Sequence, residues 1–101
     1  MMATDIEAMR TTLNGETARI DWSELQPFFA RGLIIKVSAA LDLVDVATHM
    51  ALDDKAAIAT WLEKKQVGKI SDEVAQDWHE RNPSLWTVVV APWVLVQEKA
   101  H

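Results

Sequence analysis

The feature that most constrains the fold is an apolar segment near the C-terminus, residues 85–96. It contains five valines, two tryptophans and two leucines, and β-branched and aromatic residues favour strands. Ala91-Pro92 interrupts it, and proline cannot donate a hydrogen bond to a central strand ladder. The segment therefore predicts two strands or one kinked strand. A tight two-residue hairpin is disfavoured, because Ala-Pro cannot adopt the positive φ angles of type I′ and II′ turns.

Apolar residues at helical spacing, each series preceded by a capping residue, predict helices over much of the remaining chain. These helices are expected to begin after Thr4, Ser23, Asp42, Asp53 or Asp54, and Ser71. Two shorter apolar runs, residues 33–37 and 67–70, predict further strands.

This order of elements predicts an α+β fold. We expect two layers, with a small mixed or antiparallel sheet of three to four strands and helices packed on one face of it. The order of the strands cannot be predicted from the sequence. With 101 residues, 50% of them hydrophobic and 25% charged, the chain is expected to form a single domain over residues 1–101.

The charge of the chain disfavours nucleic acid as a partner. Ten lysines and arginines against fifteen aspartates and glutamates give a net charge of -5, which phosphate backbones repel unless the basic residues cluster. The densest basic stretch, Lys64, Lys65 and Lys69, is more typical of a helix C-terminus than of a nucleic-acid interface.

The composition also bears on cellular location. The sequence has no cysteine, which excludes disulfides and fits a reducing compartment. Residues 1–10 include two acidic residues and no apolar core, unlike a signal peptide. No apolar run approaches the roughly 18 to 20 residues of a membrane span. We therefore expect a soluble, cytoplasmic protein that does not bind membranes.

Asp45, His49 and Asp53 form the most suggestive polar group, because spacings of i, i+4 and i+8 place a histidine between two carboxylates on one side of a helix. One hypothesis is a small-molecule or metal site around these residues. However, catalytic zinc sites normally use more than one histidine, and no second histidine is close in the sequence. A surface histidine paired with helix carboxylates is the favoured interpretation.

Other catalytic patterns are missing from the sequence. No serine lies in a G-x-S-x-G elbow, and the three glycines are too isolated to form a P-loop or a dinucleotide-binding fingerprint. The sequence therefore disfavours an enzymatic function and predicts no cofactor.

Trp86 and Trp93 flank the valine-rich part of residues 85–96. They are expected either to pack in the core or to form an interface or pocket, because tryptophan is common at interaction hot spots. Gln97 follows the segment and could present a polar group at a cleft. If Val94 and Val96 faced outward on an edge strand, that edge could pair with a second copy of the chain. The leading hypothesis is thus a non-enzymatic interaction or accessory domain, with a homo-oligomer or another protein as its partner.

Several segments carry a resemblance to a known family. They are Trp22-Ser23-Glu24-Leu25, Phe29-Ala30-Arg31-Gly32, Asp42-Leu43-Val44-Asp45-Val46-Ala47, the helix from Asp53-Asp54 to Trp61-Leu62, and Pro92-Trp93-Val94-Leu95-Val96-Gln97. With them, the chain resembles a family of small bacterial proteins known as domain of unknown function number two-two-eight-eight. The resemblance spans residues 13–98 and implies a small bacterial cytosolic protein, but it implies no activity, cofactor or partner.

Overall fold

The structure is a computed structural model that describes residues 2–99, with side chains from residue 5 onward. Within this range the chain forms five helices and five strands. In chain order they are α1 (Met2–Glu16), β1 (Ala18–Asp21), α2 (Trp22–Ala30), β2 (Ile34–Val37), α3 (Leu43–Ala51), α4 (Lys55–Glu63), β3 (Val67–Lys69), α5 (Asp72–Arg81), β4 (Ser84–Val90) and β5 (Trp93–Gln97). None of the described helices is long and apolar enough to cross a membrane.

Side-chain caps begin three of the helices, as predicted. Asp42 accepts hydrogen bonds from the first amides of α3, Asp54 caps α4, and Ser71 caps α5. The prediction that Ser23 caps α2 is wrong. That helix begins at Trp22, one residue earlier, and the Ser23 amide donates to the Asn82 side chain 2.9 Å away.

The strands form one mixed sheet in the order β1-β4-β5-β2-β3. Strands β2 and β5 run parallel, and the other neighbouring pairs are antiparallel. The mixed α+β class is confirmed, whereas three to four strands was too few. The strand missed from the sequence is β1, which has little β-propensity of its own and is stabilised by pairing with β4, where Arg19 lies opposite Trp86.

Residues 85–96 form two strands, which confirms one of the two predicted alternatives. Strands β4 and β5 are antiparallel neighbours, with Val90 opposite Trp93, so only Ala91 and Pro92 connect them. The expectation against a two-residue hairpin was therefore wrong. Neither Ala91 nor Pro92 is among the residues with a positive φ angle, so this connection is made without the backbone angles of a type I′ or II′ turn.

Helices cover both faces of the sheet, so the prediction of a two-layer fold with helices on one face was wrong. Neighbouring residues of β2 belong to different apolar clusters. Ile35 packs on the first face with residues of α1 and α3, whereas Ile34 packs on the second face with residues of α2 and α5. The reason is that β2 and β5 are apolar on both sides, and a sheet of this kind must be covered twice.

Candidate functional site

His49 lies between two carboxylates at the surface of α3. Its Nδ1 is 2.8 Å from Oδ2 of Asp54, and its Nε2 is 3.6 Å from Oδ1 of Asp45. The same Asp45 oxygen accepts a hydrogen bond of 2.8 Å from the guanidinium of Arg10. The Trp61 ring meets the imidazole edge to face, with 5.6 Å between the ring centroids. These five side chains connect α1, α3 and α4.

Asp53 is not part of this cluster, which corrects the predicted group. The i+8 spacing requires the helix to continue, but α3 ends at Ala51, and Asp53 has a φ angle of 57°. Its side chain is 79% exposed and lies 4.0 Å from the ammonium of Lys55. Asp54, for which the sequence favours a role as the cap of α4, takes its place beside His49.

The geometry of the cluster fits one ion pair, between Arg10 and Asp45, and a hydrogen bond between His49 and Asp54 that together link the helices. Because a carboxylate can only accept, Nδ1 of His49 carries the proton of the bond to Asp54. This bond, together with the backbone amide of Ala57, holds the pKa of Asp54 below its usual range. Both ring nitrogens of His49 thus face carboxylates. Among the described residues, no group of three or more His, Cys, Asp or Glu side chains is arranged to hold a metal ion.

Gln97 lines a small hollow together with Trp86, and its amide is hydrogen-bonded within the protein. It is only 2% exposed, and its side-chain nitrogen donates to the carbonyl oxygens of Ser38 at 2.8 Å and Leu41 at 2.7 Å. Burial of an amide requires such partners. Gln97 therefore attaches the loop after β2 to the end of β5.

The two tryptophans of the C-terminal segment have different surroundings. Trp93 is half-buried against the first face of the sheet, and the ammonium of Lys69 lies 5.7 Å from its ring centroid. Trp86 is 36% exposed, and the guanidinium of Arg19 lies 5.1 Å from its ring centroid. Each of these cation–π contacts holds a basic side chain against the ring of its tryptophan. Trp86 is therefore the better placed of the two to contact a partner.

The free edges of the sheet are not where the sequence suggested. Strand β5 lies between β4 and β2, and Val94 and Val96 are buried in the core, so the C-terminal strand offers no edge to a second copy. The edge strands are β1 and β3. Strand β1 is largely exposed and carries Arg19 and Asp21. The prediction of an edge at the C-terminal strand was wrong because apolar strands are usually central in a sheet. A polar strand such as β1 is better suited to an edge.

Comparison with known proteins supports the fold and identifies the family. The NMR solution structure of PA1075 from Pseudomonas aeruginosa is 52% identical to this chain, with a TM-score of 0.80, and the match covers 95% of this chain and 86% of that one. No curated protein matches the chain. The family model described as "Protein of unknown function (DUF2288)" matches residues 8–98. The resemblance seen in the sequence is thereby confirmed, and the chain belongs to the DUF2288 family.

Proposed function

We propose that the protein is a non-enzymatic interaction domain that self-associates through its edge strand β1. The observation that carries this proposal is the charge pattern of that strand. Arg19 and Asp21 are two residues apart, so their side chains point to the same face of the sheet, and both residues are exposed. Strand β4 pairs with one side of β1, and the other side forms the boundary of the sheet.

The charges of β1 are complementary to those of a second copy. In a two-fold symmetric dimer, edge strands pair antiparallel with themselves. If the axis passes through Ile20, Arg19 of each copy lies opposite Asp21 of the other. Opposite charges in such cross-strand positions contribute roughly 0.2 to 1 kcal/mol for each pair. The pairing would extend the sheet from one copy into the next.

Trp86 would lie beside this interface. It is the cross-strand neighbour of Arg19 on β4, and the guanidinium already stacks on its ring. Tryptophan and arginine are both enriched among the residues that dominate binding energy. Because β1 has only four residues, we expect a weak dimer that forms with increasing concentration. We also place the protein in the bacterial cytoplasm, which its lack of cysteine and the Pseudomonas source of the similar structure support.

Charge swaps on β1 test this proposal. The dimer constant is measured by sedimentation equilibrium for the wild type, Arg19→Asp, Asp21→Arg and the double variant that carries both changes. Each single variant places like charges opposite each other and is expected to weaken the dimer by about tenfold. The double variant restores opposite charges and is expected to recover most of the affinity.

The exposed Asp53 provides a matched control. Asp53→Arg makes the same charge change as Asp21→Arg, but its side chain pairs with Lys55 at the turn before α4, away from β1. Its dimer constant should equal that of the wild type. A strictly monomeric wild type, or single variants that dimerise as well as the double variant, would show that β1 is not the interface.

A further inference from the structure

A hollow of about 690 Å³ opens where β2 and β5 end. Ser38 and Ala39, which follow β2, and Glu98, which follows β5, line one side of it. These two strands are parallel neighbours. In open sheets, ligands commonly bind outside the carboxyl ends of parallel strands. The hollow is therefore at a favourable place for a small-molecule site.

Three lysines line this hollow: Lys36 from β2, Lys65 after α4, and Lys69 from β3. Lys36 is far from the other two in the sequence, and the pairing of β2 with β3 brings it close by placing it opposite Gly68. Such a group of positive charges is unexpected in a chain with a net charge of -5. Within the described residues, the ion pairs are formed by other basic side chains.

Arg81 partly offsets the charge of the acidic residue that lines the hollow. Glu98 accepts hydrogen bonds from the guanidinium of Arg81 at 2.7 Å and from the indole of Trp78 at 3.0 Å. The charge of Glu98 is thus shared with Arg81, which also bonds to Asp77. The lysines therefore determine the electrostatic character of the hollow.

Gly68 leaves space in the wall of the hollow. No heavy atom lies within 4 Å of the position where a Cβ would stand on this residue. The gap lies next to Lys36 across the ladder. An extended backbone at Gly68 does not require glycine, so the missing side chain is not explained by a turn.

We propose that this lysine hollow binds a small multivalent anion that carries phosphate or carboxylate groups. Lys36 and Lys65 contact the anionic groups through their ammonium ions. Lys69 also lines the hollow, but its ammonium lies over Trp93 at the start of β5 and takes no part in this contact. Charge-assisted hydrogen bonds of this kind are stronger than neutral ones and select for negative charge. The site is independent of the self-association of β1.

Calorimetric titration with pyrophosphate and with citrate, at constant ionic strength, tests the proposal and distinguishes the two anion classes. We expect the wild type to bind at least one of them. Lys36→Gln and Lys65→Gln should each weaken that binding by about tenfold. Lys64→Gln is the matched control, because Lys64 is exposed and adjacent to Lys65 but does not line the hollow.

A second variant tests the site without any change of charge. Gly68→Val fills the gap beside Lys36 and should abolish anion binding while the melting temperature stays the same or rises, since valine favours strands. Gly15→Ala on α1 is its control, because that position is also open but lies elsewhere. The proposal is overturned if neither anion binds the wild type, if Lys64→Gln weakens binding as much as Lys65→Gln, or if Gly68→Val still binds.

Discussion

The two edges of the sheet differ in the pattern of their charges. Strand β1 carries one positive and one negative residue, Arg19 and Asp21, within four positions. At the other edge, formed by β3, lysines outnumber carboxylates around the hollow: Lys36, Lys65 and Lys69 line it, against the single carboxylate of Glu98. Both strands are short, and short charged edges limit unspecific pairing with other chains.

This difference suggests that each edge suits a different binding partner. A strand with alternating charge is complementary to itself in an antiparallel pair, so a second copy matches it. An edge with an excess of positive charge repels a second copy and attracts an anion. On this view, one edge of the sheet suits pairing with a second copy of the chain, and the other suits binding of a negatively charged ligand.

The central strand β5 holds both edges in one sheet. Leu95 of β5 is fully buried, and Leu95→Ala is expected to lower the free energy of unfolding by about 2–5 kcal/mol through lost burial and the cavity it leaves. Because β5 lies between the two halves of the sheet, dimerisation and anion binding should both weaken. Chemical denaturation measures the first effect, and the sedimentation and calorimetry experiments measure the other two.

Val89→Ala is the control for this prediction. Val89 belongs to the neighbouring strand β4, but it is 54% exposed, so its removal should change the stability by less than about 0.5 kcal/mol. Equal losses for the two variants would contradict the packing described for β5.

A change at Gln97 should separate the two edges. Gln97→Leu removes the amide that binds the carbonyl oxygens of Ser38 and Leu41, and we expect a loss of about 2 kcal/mol because buried carbonyls lose their partner. Ser38 lines the lysine hollow, so anion binding should weaken, whereas dimerisation through β1 should remain. Gln76→Leu, at an exposed amide on α5, should leave the stability nearly unchanged. An unaffected hollow in Gln97→Leu would mean that this loop does not shape it.

Three of the five described helices begin where the sequence predicts, because their signals are local, whereas α1 and α2 begin before the predicted caps Thr4 and Ser23. Asp42 and Ser71 cap the helices that follow them, and the apolar spacing within each helix is visible without any tertiary information. The apolar character of β2 and β5 on both sides was visible as well. It should have indicated a sheet covered on both faces, since only a doubly covered strand lacks polar alternation.

The features that the sequence did not predict depend mostly on contacts between residues that are distant in the sequence. Strand β1 has no strand signal of its own and exists because it pairs with β4. The approach of Lys36 to Lys65 follows from the register of β2 with β3, which the sequence does not encode locally. The choice of Asp54 over Asp53 as the partner of His49 depends on where α3 ends, and helix ends are uncertain by a residue or two.

The smallest predicted effect is a pH dependence of stability that comes from Glu98, which lines the lysine hollow. Hydrogen bonds from Arg81 and Trp78 lower the pKa of Glu98 from its ordinary value of 4.5. A carboxylate with a lowered folded-state pKa stabilises the protein above its ordinary pKa, and this contribution is lost as the pH falls through the folded-state value. Glu98→Gln should therefore be less stable than the wild type at neutral pH, by under about 1 kcal/mol, with the difference vanishing in acid below pH 4.5.

Thermal unfolding of the wild type and Glu98→Gln across this pH range measures the difference. Glutamine still offers an oxygen to the Trp78 indole, so the variant removes mainly the charge that Arg81 shares. Without that negative charge, the hollow should bind pyrophosphate or citrate more tightly at neutral pH, while the dimer constant of β1 stays the same. A stability difference that persists unchanged into acid would show that the bond to Arg81 does not depend on ionised Glu98. An unchanged anion affinity would show that the electrostatic character of the lysine hollow does not control binding at this edge.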